Sequence, residues 1–342
     1  METLYELRHI DHRYDGSPVV TVDTWRIEAD TITGIAGPNG SGKSTLLSLL
    51  GLIISPTQGK VLLKGRPVKP FDENVRGEIA LLPQDSFLLK RSVFRNVAYG
   101  LTIQGRRADV ESRVSEAMQM VGLAPDKYGP RPWYALSGGE ARRVALASRL
   151  ALRPRVLLMD EPTISVDDVS AQMIKSAALH ARRQWGTSLI VTSHDRQWLS
   201  DICDTVLLMF RGKILGAGQQ TLVFGPWHSL DNGRVATPLD QQQQFVASSQ
   251  SPDVSRSVAA IRADQLRLFM DAPGEEQIQL HCLSGVLMQL GLDKETGRIL
   301  SAVRVGSTVF NSYISNSTGT RGRYEPGQNV WIGYDPSQVV WH

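Results

Sequence analysis

The first 220 residues alternate short apolar runs with stretches of helical periodicity. Thr31–Ala36, Ile79–Leu82, Val156–Met159 and Leu189–Thr192 are almost continuously apolar and of strand length, the pattern of strands buried on both faces. Leu46, Leu47, Leu49, Leu50 and Ile53 recur at helical spacing, which predicts a helix over Lys43–Ile54. Strands separated by helical segments imply an α/β architecture with a largely parallel sheet covered on both sides. Between Phe87 and Leu152 the period becomes mostly helical, so a helical subdomain is expected to interrupt the strand series.

The pattern changes after residue 220. Residues 221–258 include Gln241–Gln244 and Ser248–Pro252 and few apolar runs, which predicts a polar linker. Beyond it, Ile278–Leu280, Gly285–Leu290, Ile299–Val305, Ser307–Tyr313, Asn329–Tyr334 and Val339–Trp341 read as short strands. Turn-like pieces such as Asp293–Gly297 and Pro326–Gly327 separate them, so residues 259–342 are expected to form a small all-β domain.

Composition acts mainly by exclusion. The chain has 342 residues, and a prior of roughly 150 residues per domain gives about two domains. Hydrophobic residues make up 42% and charged residues 21%, enough to bury a full core. Lys and Arg number 37 against 34 Asp and Glu, a net of +3, so nucleic acid is not an expected partner. No run approaches the ~18 apolar residues needed to span a bilayer. The start, Met1–Arg8, lacks the basic-then-apolar order of a secretion signal. A chain neither integral to a membrane nor exported is expected. Cys203 and Cys282 have no metal-ligand spacing and read as reduced thiols.

The strongest chemical signal is Gly37, Pro38, Asn39, Gly40, Ser41, Gly42, Lys43, Ser44, which fits G-x-x-x-x-G-K-[ST] between a predicted strand and a predicted helix. Glycines let backbone N–H groups approach phosphate oxygens, and the helix behind them, with Thr45 in its first turn, offers the positive end of its dipole. Lys43 then supplies a cation for the β- and γ-phosphates of ATP and Ser44 a hydroxyl for Mg²⁺. A second signal is the apolar run Val156–Met159 ending in Asp160 and Glu161. Strand alternation turns the two carboxylates apart, so Asp160 is a candidate Mg²⁺ ligand and Glu161 a candidate general base.

Leu136-Ser137-Gly138-Gly139-Glu140, opening a helix expected over Ala141–Leu152, resembles the signature motif of ABC ATPases. Read locally, it is again a helix N-terminus, with Ser137 as cap and two glycines allowing close approach. The resemblance covers residues 1–220 and implies a P-loop ATPase fold with the inserted helical subdomain at about 87–152. It implies a head-to-tail homodimer in which Ser137, Gly138, Gly139 and Glu140 meet the γ-phosphate bound by the partner copy. By the same resemblance Tyr14 stacks on adenine and Gln84 contacts Mg²⁺ and the attacking water. Asp167 belongs to the dimer-contacting loop, and His194 contacts the γ-phosphate. Two departures stand out. Glu140 occupies a position where the family usually has Gln, and Ile164-Ser165-Val166 replaces the commoner Ser-Ala-Leu.

One nucleotide-binding unit with a β-rich tail looks like the ATPase of a bacterial importer. That implies transmembrane permease subunits, an indirect substrate-binding protein outside, and a peripheral place on the cytoplasmic face of the cell membrane. Leu88–Gly100 and Trp133 are similar to ATPases of tungstate and molybdate importers. Ferric iron, polyamine or sugar import is the alternative, and a soluble, non-transport ABC ATPase a more distant one. The tail resembles TOBE or Mop domains, small OB-like barrels. Their oxyanion-binding Ser and Lys pattern is not found here, so a scaffold or regulatory role is expected.

Overall fold

The computed structural model describes residues 2–75, 77–106, 108–217, 220–248, 258–274, 280–293, 296–314 and 324–341. It divides into two units, Met1–Ala217 and Gly218–His342. No helix among the described residues is long and apolar enough to cross a membrane.

The first unit opens with two long strands, β1 (Thr3–Tyr14) and β2 (Ser17–Glu28), followed by β3 (Ile32–Ala36) and helix α1 (Lys43–Leu50). Then come β4 (Gln58–Leu63), β5 (Arg66–Val68) and β6 (Ile79–Leu82). The helical insertion holds α2 (Val93–Ile103), α3 (Val110–Met120), α4 (Pro125–Tyr128) and α5 (Gly138–Leu150). The unit closes with β7 (Val156–Asp160), α6 (Asp168–Trp185), β8 (Ser188–Ser193), α7 (Arg196–Ile202), β9 (Thr205–Phe210) and β10 (Lys213–Ala217).

Two sheets sandwich α1. One is antiparallel, ordered β2-β1-β4-β5; the other is ordered β10-β9-β3-β8-β7-β6. In the second, β9, β3, β8, β7 and β6 run parallel and only β10 is antiparallel. Leu46, Leu47, Leu49 and Leu50 fill the space between Tyr5, Leu7, Ile10, Val20 and Val61 on one side and Ile35, Leu158, Ile190 and Met209 on the other. Tyr5 donates its hydroxyl to the Leu50 carbonyl (2.9 Å), satisfying an otherwise orphaned group at the helix end.

Helix α1 ends four residues before the expected Ile54. Gly51 caps it, its N–H bonding to the Leu47 carbonyl (2.7 Å). Leu52 then turns at φ +54°, and Ile53 lies outside the helix, 47% exposed.

The second unit is built of strands and short 3-10 turns: β11 (Gln220–Phe224), β12 (His228–Leu230), β13 (Arg234–Pro238), β14 (Gln244–Ser248), β15 (Val258–Arg262) and β16 (Arg267–Phe269). They are followed by β17 (His281–Leu292), β18 (Ile299–Val305), β19 (Thr308–Tyr313), β20 (Asn329–Tyr334) and β21 (Val340–Trp341). The ladders form three antiparallel sheets, β11-β15-β21, β12-β13-β14 and β16-β20-β17-β18-β19, around one core. Of the expected strand Ile278–Leu280, the first two residues lie outside the described residues.

The expected linker over 221–258 is a correction. Its described residues carry β11 to β14, and Val223, Val235, Phe245 and Ala247 belong to the core of this unit. Phe245 stacks on Tyr334 (4.9 Å) and Phe310 (5.9 Å). Strands β13 and β14 bury only three residues each between polar turns and β12 buries none, so their apolar pattern is faint in the sequence. Residues 249–257 lie outside the described residues.

Among the described residues strand β14 has a partner strand on one side, and side chains cover its other edge. His281 Nε2 donates to the Gln244 carbonyl (2.7 Å), and Trp341 Nε1 to the Ser248 carbonyl (2.8 Å). Between them the Tyr334 hydroxyl donates to the Val246 carbonyl (3.0 Å) and accepts from the Val246 N–H (2.9 Å). These bonds satisfy backbone groups along the edge, those of Val246 buried, that would otherwise go unpaired or recruit another strand. Tyr334→Phe therefore leaves two buried groups unpaired at nearly constant volume. A loss of about 1–3 kcal/mol is expected in denaturant unfolding of this unit; an unchanged midpoint would contradict the edge-covering role.

Candidate active site

In a parallel sheet the loops at the carboxyl ends of adjacent strands converge on one edge. Here the edge collects Gly37–Ser44 after β3, Gln84 after β6, Asp160 and Glu161 at the end of β7, and His194 after β8. The neighbour order β3-β8-β7-β6 places these groups in one row.

The loop after β3 wraps tightly for local reasons. Gly40 and Gly42 adopt φ of +77° and +101°, open to glycine without strain. A Cβ on Gly37 would lie 2.3 Å from the Met209 carbonyl, so the loop can pack there only as glycine. Pro38, Asn39 and Gly40 are exposed, while Ser41 is buried and its hydroxyl has no hydrogen-bond partner among the described residues. Lys43, 6% exposed, curls back over the loop and donates to the carbonyls of Gly37 (2.8 Å) and Pro38 (3.3 Å). Ser44 is exposed and Thr45 half-buried at the start of α1.

Lys43 Nζ also lies 3.3 Å from Glu161 Oε1, an ionic contact without hydrogen-bond geometry, with both side chains 6% exposed. The other oxygen, Oε2, accepts from His194 Nδ1 (2.9 Å) and from the His194 backbone N–H (3.3 Å). That bond assigns the imidazole proton to Nδ1 and leaves Nε2 facing outward on a largely exposed ring. Glu161 sits at φ +44°, a left-handed conformation that costs a non-glycine residue about 1–3 kcal/mol. Its N–H donates to the carbonyl (3.1 Å) and hydroxyl (3.2 Å) oxygens of Thr192. Asp160 accepts from the Thr192 hydroxyl through Oδ1 (2.6 Å). One threonine on β8 thus orients both acids of β7.

Helix α5 begins at Gly138 with Ser137 as its cap. The Ser137 hydroxyl accepts from the Glu140 N–H (3.2 Å) and Glu140 Oε2 accepts from the Ser137 N–H (2.9 Å), a reciprocal capping box. Oε1 of Glu140 accepts from the Tyr128 hydroxyl (2.9 Å). The Ser137 N–H holds the Glu140 carboxyl below its usual range. Ser137 and Gly138 are exposed, so the positive end of the helix faces outward.

Asp167 caps α6, accepting from the Ser170 N–H (2.8 Å) and hydroxyl (3.0 Å), which keep its carboxyl ionised below the ordinary range. This turn touches the start of α5. A Cβ on Gly139 would come within 2.5 Å of Ser170 Oγ and 2.9 Å of Asp167 Oδ2. Gln84 is exposed, and Tyr14, 49% exposed at the end of β1, meets His12 edge to face at 4.8 Å. The geometry therefore joins Lys43, Glu161 and His194 directly. Asp160 is tied to them through Thr192, and Asp167 to Gly139, while Tyr14, Gln84 and Ser44 present themselves to solvent.

Arg142 was not anticipated from the sequence. It is 2% exposed and bonds to carbonyls on both acidic-edge loops. The signal that could have found it is a charged residue one turn before Ala145 and Leu146, on the inward stripe of the helix.

Comparison with known proteins agrees with this layout. Residues 21–164 match the family model described as ABC transporter. The chain is 35% identical over 202 residues to the tungstate uptake system ATP-binding protein TupC of Peptoclostridium acidaminophilum, covering 59% of this chain and 92% of that one. It is 31% identical over 268 residues to the methionine import ATP-binding protein MetN of Carboxydothermus hydrogenoformans, covering 75% and 79%. Among solved structures, CbiO1 from Clostridium perfringens, part of the ABC transporter complex CbiONQ, superposes with a TM-score of 0.58 at 27% identity, covering 64% and 89%. A strand-to-helix phosphate loop, an acid pair at the next strand end but one and a capped Ser-Gly-Gly helix thus coincide with independent likeness: the chain belongs to the ATP-hydrolysing, ATP-binding subunits of ABC transporters.

Proposed function

We propose that two copies of this chain close head to tail on two ATP molecules and drive import of an oxyanion, tungstate or molybdate, through a permease. The observation that carries the closed pair is the outward-facing α5 terminus: Ser137 and Gly138 are exposed there and present the positive end of the helix dipole to an anion from outside the subunit. The terminal phosphate held by the partner copy's loop fits that demand.

In this reading Lys43 exchanges the Gly37 and Pro38 carbonyls and Glu161 for the β- and γ-phosphates, and the buried Ser41 hydroxyl gains an acceptor. Glu161, released from Lys43, takes a proton from water as the water oxygen bonds to the γ-phosphorus and the bond to the β-phosphate oxygen breaks, giving ADP and phosphate. His194 keeps Glu161 aimed through Nδ1 while its Nε2 side faces the phosphate. The donor set suits Mg²⁺, a hard cation that keeps several waters: the Ser44 hydroxyl, the Gln84 amide and the second oxygen of Asp160. The ion would neutralise charge on the phosphates. Tyr14, exposed at the end of β1, supplies the stacking face for adenine.

Phe87 (79% exposed) and Leu89 follow Gln84 in the chain, and the backbone bond from Trp133 N–H to the Arg91 carbonyl (3.1 Å) brings the exposed Trp133 and Tyr134 (74%) to the same segment. An exposed apolar face of this kind fits a permease segment, which would hold the chain at the cytoplasmic face of the membrane. The likeness to a tungstate ATPase supports the cargo. The longer but less identical likeness to a methionine ATPase keeps other substrates as arms of the test. The second unit is read as a TOBE-like or Mop-like scaffold.

Glu161→Gln is expected to bind ATP, accumulate as a closed dimer in size-exclusion chromatography, and lose turnover by at least about 10²-fold. Retained hydrolysis in that variant would refute Glu161 as base. Gly139→Ala pushes against Ser170 and Asp167, so ATP binding should persist while dimer closure and turnover fall together. In the reconstituted transporter, tungstate or molybdate with its binding protein should raise ATPase activity above the response to sulfate, iron, polyamine or methionine; a larger response to methionine would overturn the oxyanion assignment.

A further inference from the structure

We propose that Arg142 is a positioning residue for hydrolysis, fixing the backbone of Glu161 and of the Gln84 loop to the signature helix through a single guanidinium. The inference rests on Glu161 acting as the base. Arg142 lies on α5, inside the helical insertion, yet among the described residues its side-chain hydrogen-bond acceptors lie at the carboxyl ends of β6 and β7 and in the loops that follow them. Its Nε donates to the Pro162 carbonyl (3.2 Å), and Nη2 to the carbonyls of Asp160 (2.8 Å) and Glu161 (3.1 Å). Nη1 donates to the carbonyls of Pro83 and Gln84 (2.6 Å), with Ser86 Oγ at 3.5 Å.

The chemistry of this knot selects arginine. Five donors in a rigid planar fork can serve five carbonyls in one plane, whereas an ammonium offers three donors from one point. The acceptors are backbone oxygens, so the bonds fix main-chain position rather than neutralise a partner side chain. Burial disfavours the charge and lowers the arginine pKa, opposed at longer range by the carboxylates of Asp160 and Asp85. Burying a cation against carbonyls is a poor way to gain stability, since an apolar residue fills the same space without desolvating a charge. It is a good way to hold a strained loop. Glu161, at φ +44°, has its N–H fixed by Thr192 on one side and its carbonyl fixed by Arg142 on the other. Two clamps around one left-handed residue determine where its carboxylate points. The same fork holds the loop carrying Gln84, so displacement of that loop reaches Glu161 through one side chain.

The test uses the full chain with Arg142→Lys and Arg142→Met, compared with wild type and Glu161→Gln. The measurements are turnover at saturating MgATP, ATP affinity by calorimetry and thermal melting. Positioning predicts ATP affinity within about threefold of wild type while kcat falls roughly 10- to 100-fold in Arg142→Met, with partial rescue in Arg142→Lys. The idea is overturned if Arg142→Met keeps kcat within about twofold, or if affinity, kcat and melting temperature decline in step in both variants. Should Glu161→Gln itself turn over, the base reading fails whatever Arg142 does. If Glu161→Gln is inactive and Arg142→Met is not, only the positioning role falls.

Discussion

Parallel pairing of β3, β8, β7 and β6 is the constraint on which the rest of this structure depends. Parallel strands cannot be joined by tight turns, so each must be followed by a crossover, and every crossover begins at the same edge. That rule brings a phosphate-cradling loop, two acids, a glutamine and a histidine into one row although they span residues 37 to 194. The apolar content of these strands is what pays for the polar edge: Ile35, Leu158 and Ile190 are fully buried, and the acids project only where the strands run out.

At that edge, charges are arranged so that none is buried without an opposite or a hydrogen-bond partner. Lys43 and Glu161 face each other, His194 supports the free oxygen of Glu161, and Thr192 orients Asp160. The short β8 therefore contributes as much to the acid pair as β7 itself. A strand whose six residues are all buried presents a hydroxyl to a neighbouring carboxylate, a polar contact hidden inside an apolar pattern.

This explains what was legible in the sequence. The buried parallel strands were plain, because nearly unbroken apolar runs have few other readings, and the phosphate loop was plain because its glycines answer a steric demand that Gly37 and Gly42 display. The β1–β2 hairpin was harder. Its outer face carries Arg8, Asp11, Arg13 and Asp23, so its inward residues are diluted by charge. Strands β11 to β14 were hidden further, since β11, β13 and β14 bury three residues apiece and β12 none, which leaves a polar average, and the covering of β14 by His281, Tyr334 and Trp341 involves partners 37 to 93 residues away. Arg142 was missed for a related reason: its place on the inward stripe of α5 hints at burial, but its closest acceptors are backbone carbonyls, which no side-chain pattern records.

The acid at position 140 is a matter of counting lone pairs. Its two oxygens receive one N–H from Ser137 and one O–H from Tyr128, so both termini of the side chain must accept. An amide could serve the first donor but would turn its own NH₂ toward the phenol, which would then have to reverse its hydroxyl. Residues 128 and 140 are consequently a matched set, tying α4 to the head of α5, and an exchange at one position alters the hydrogen-bond role required of the other.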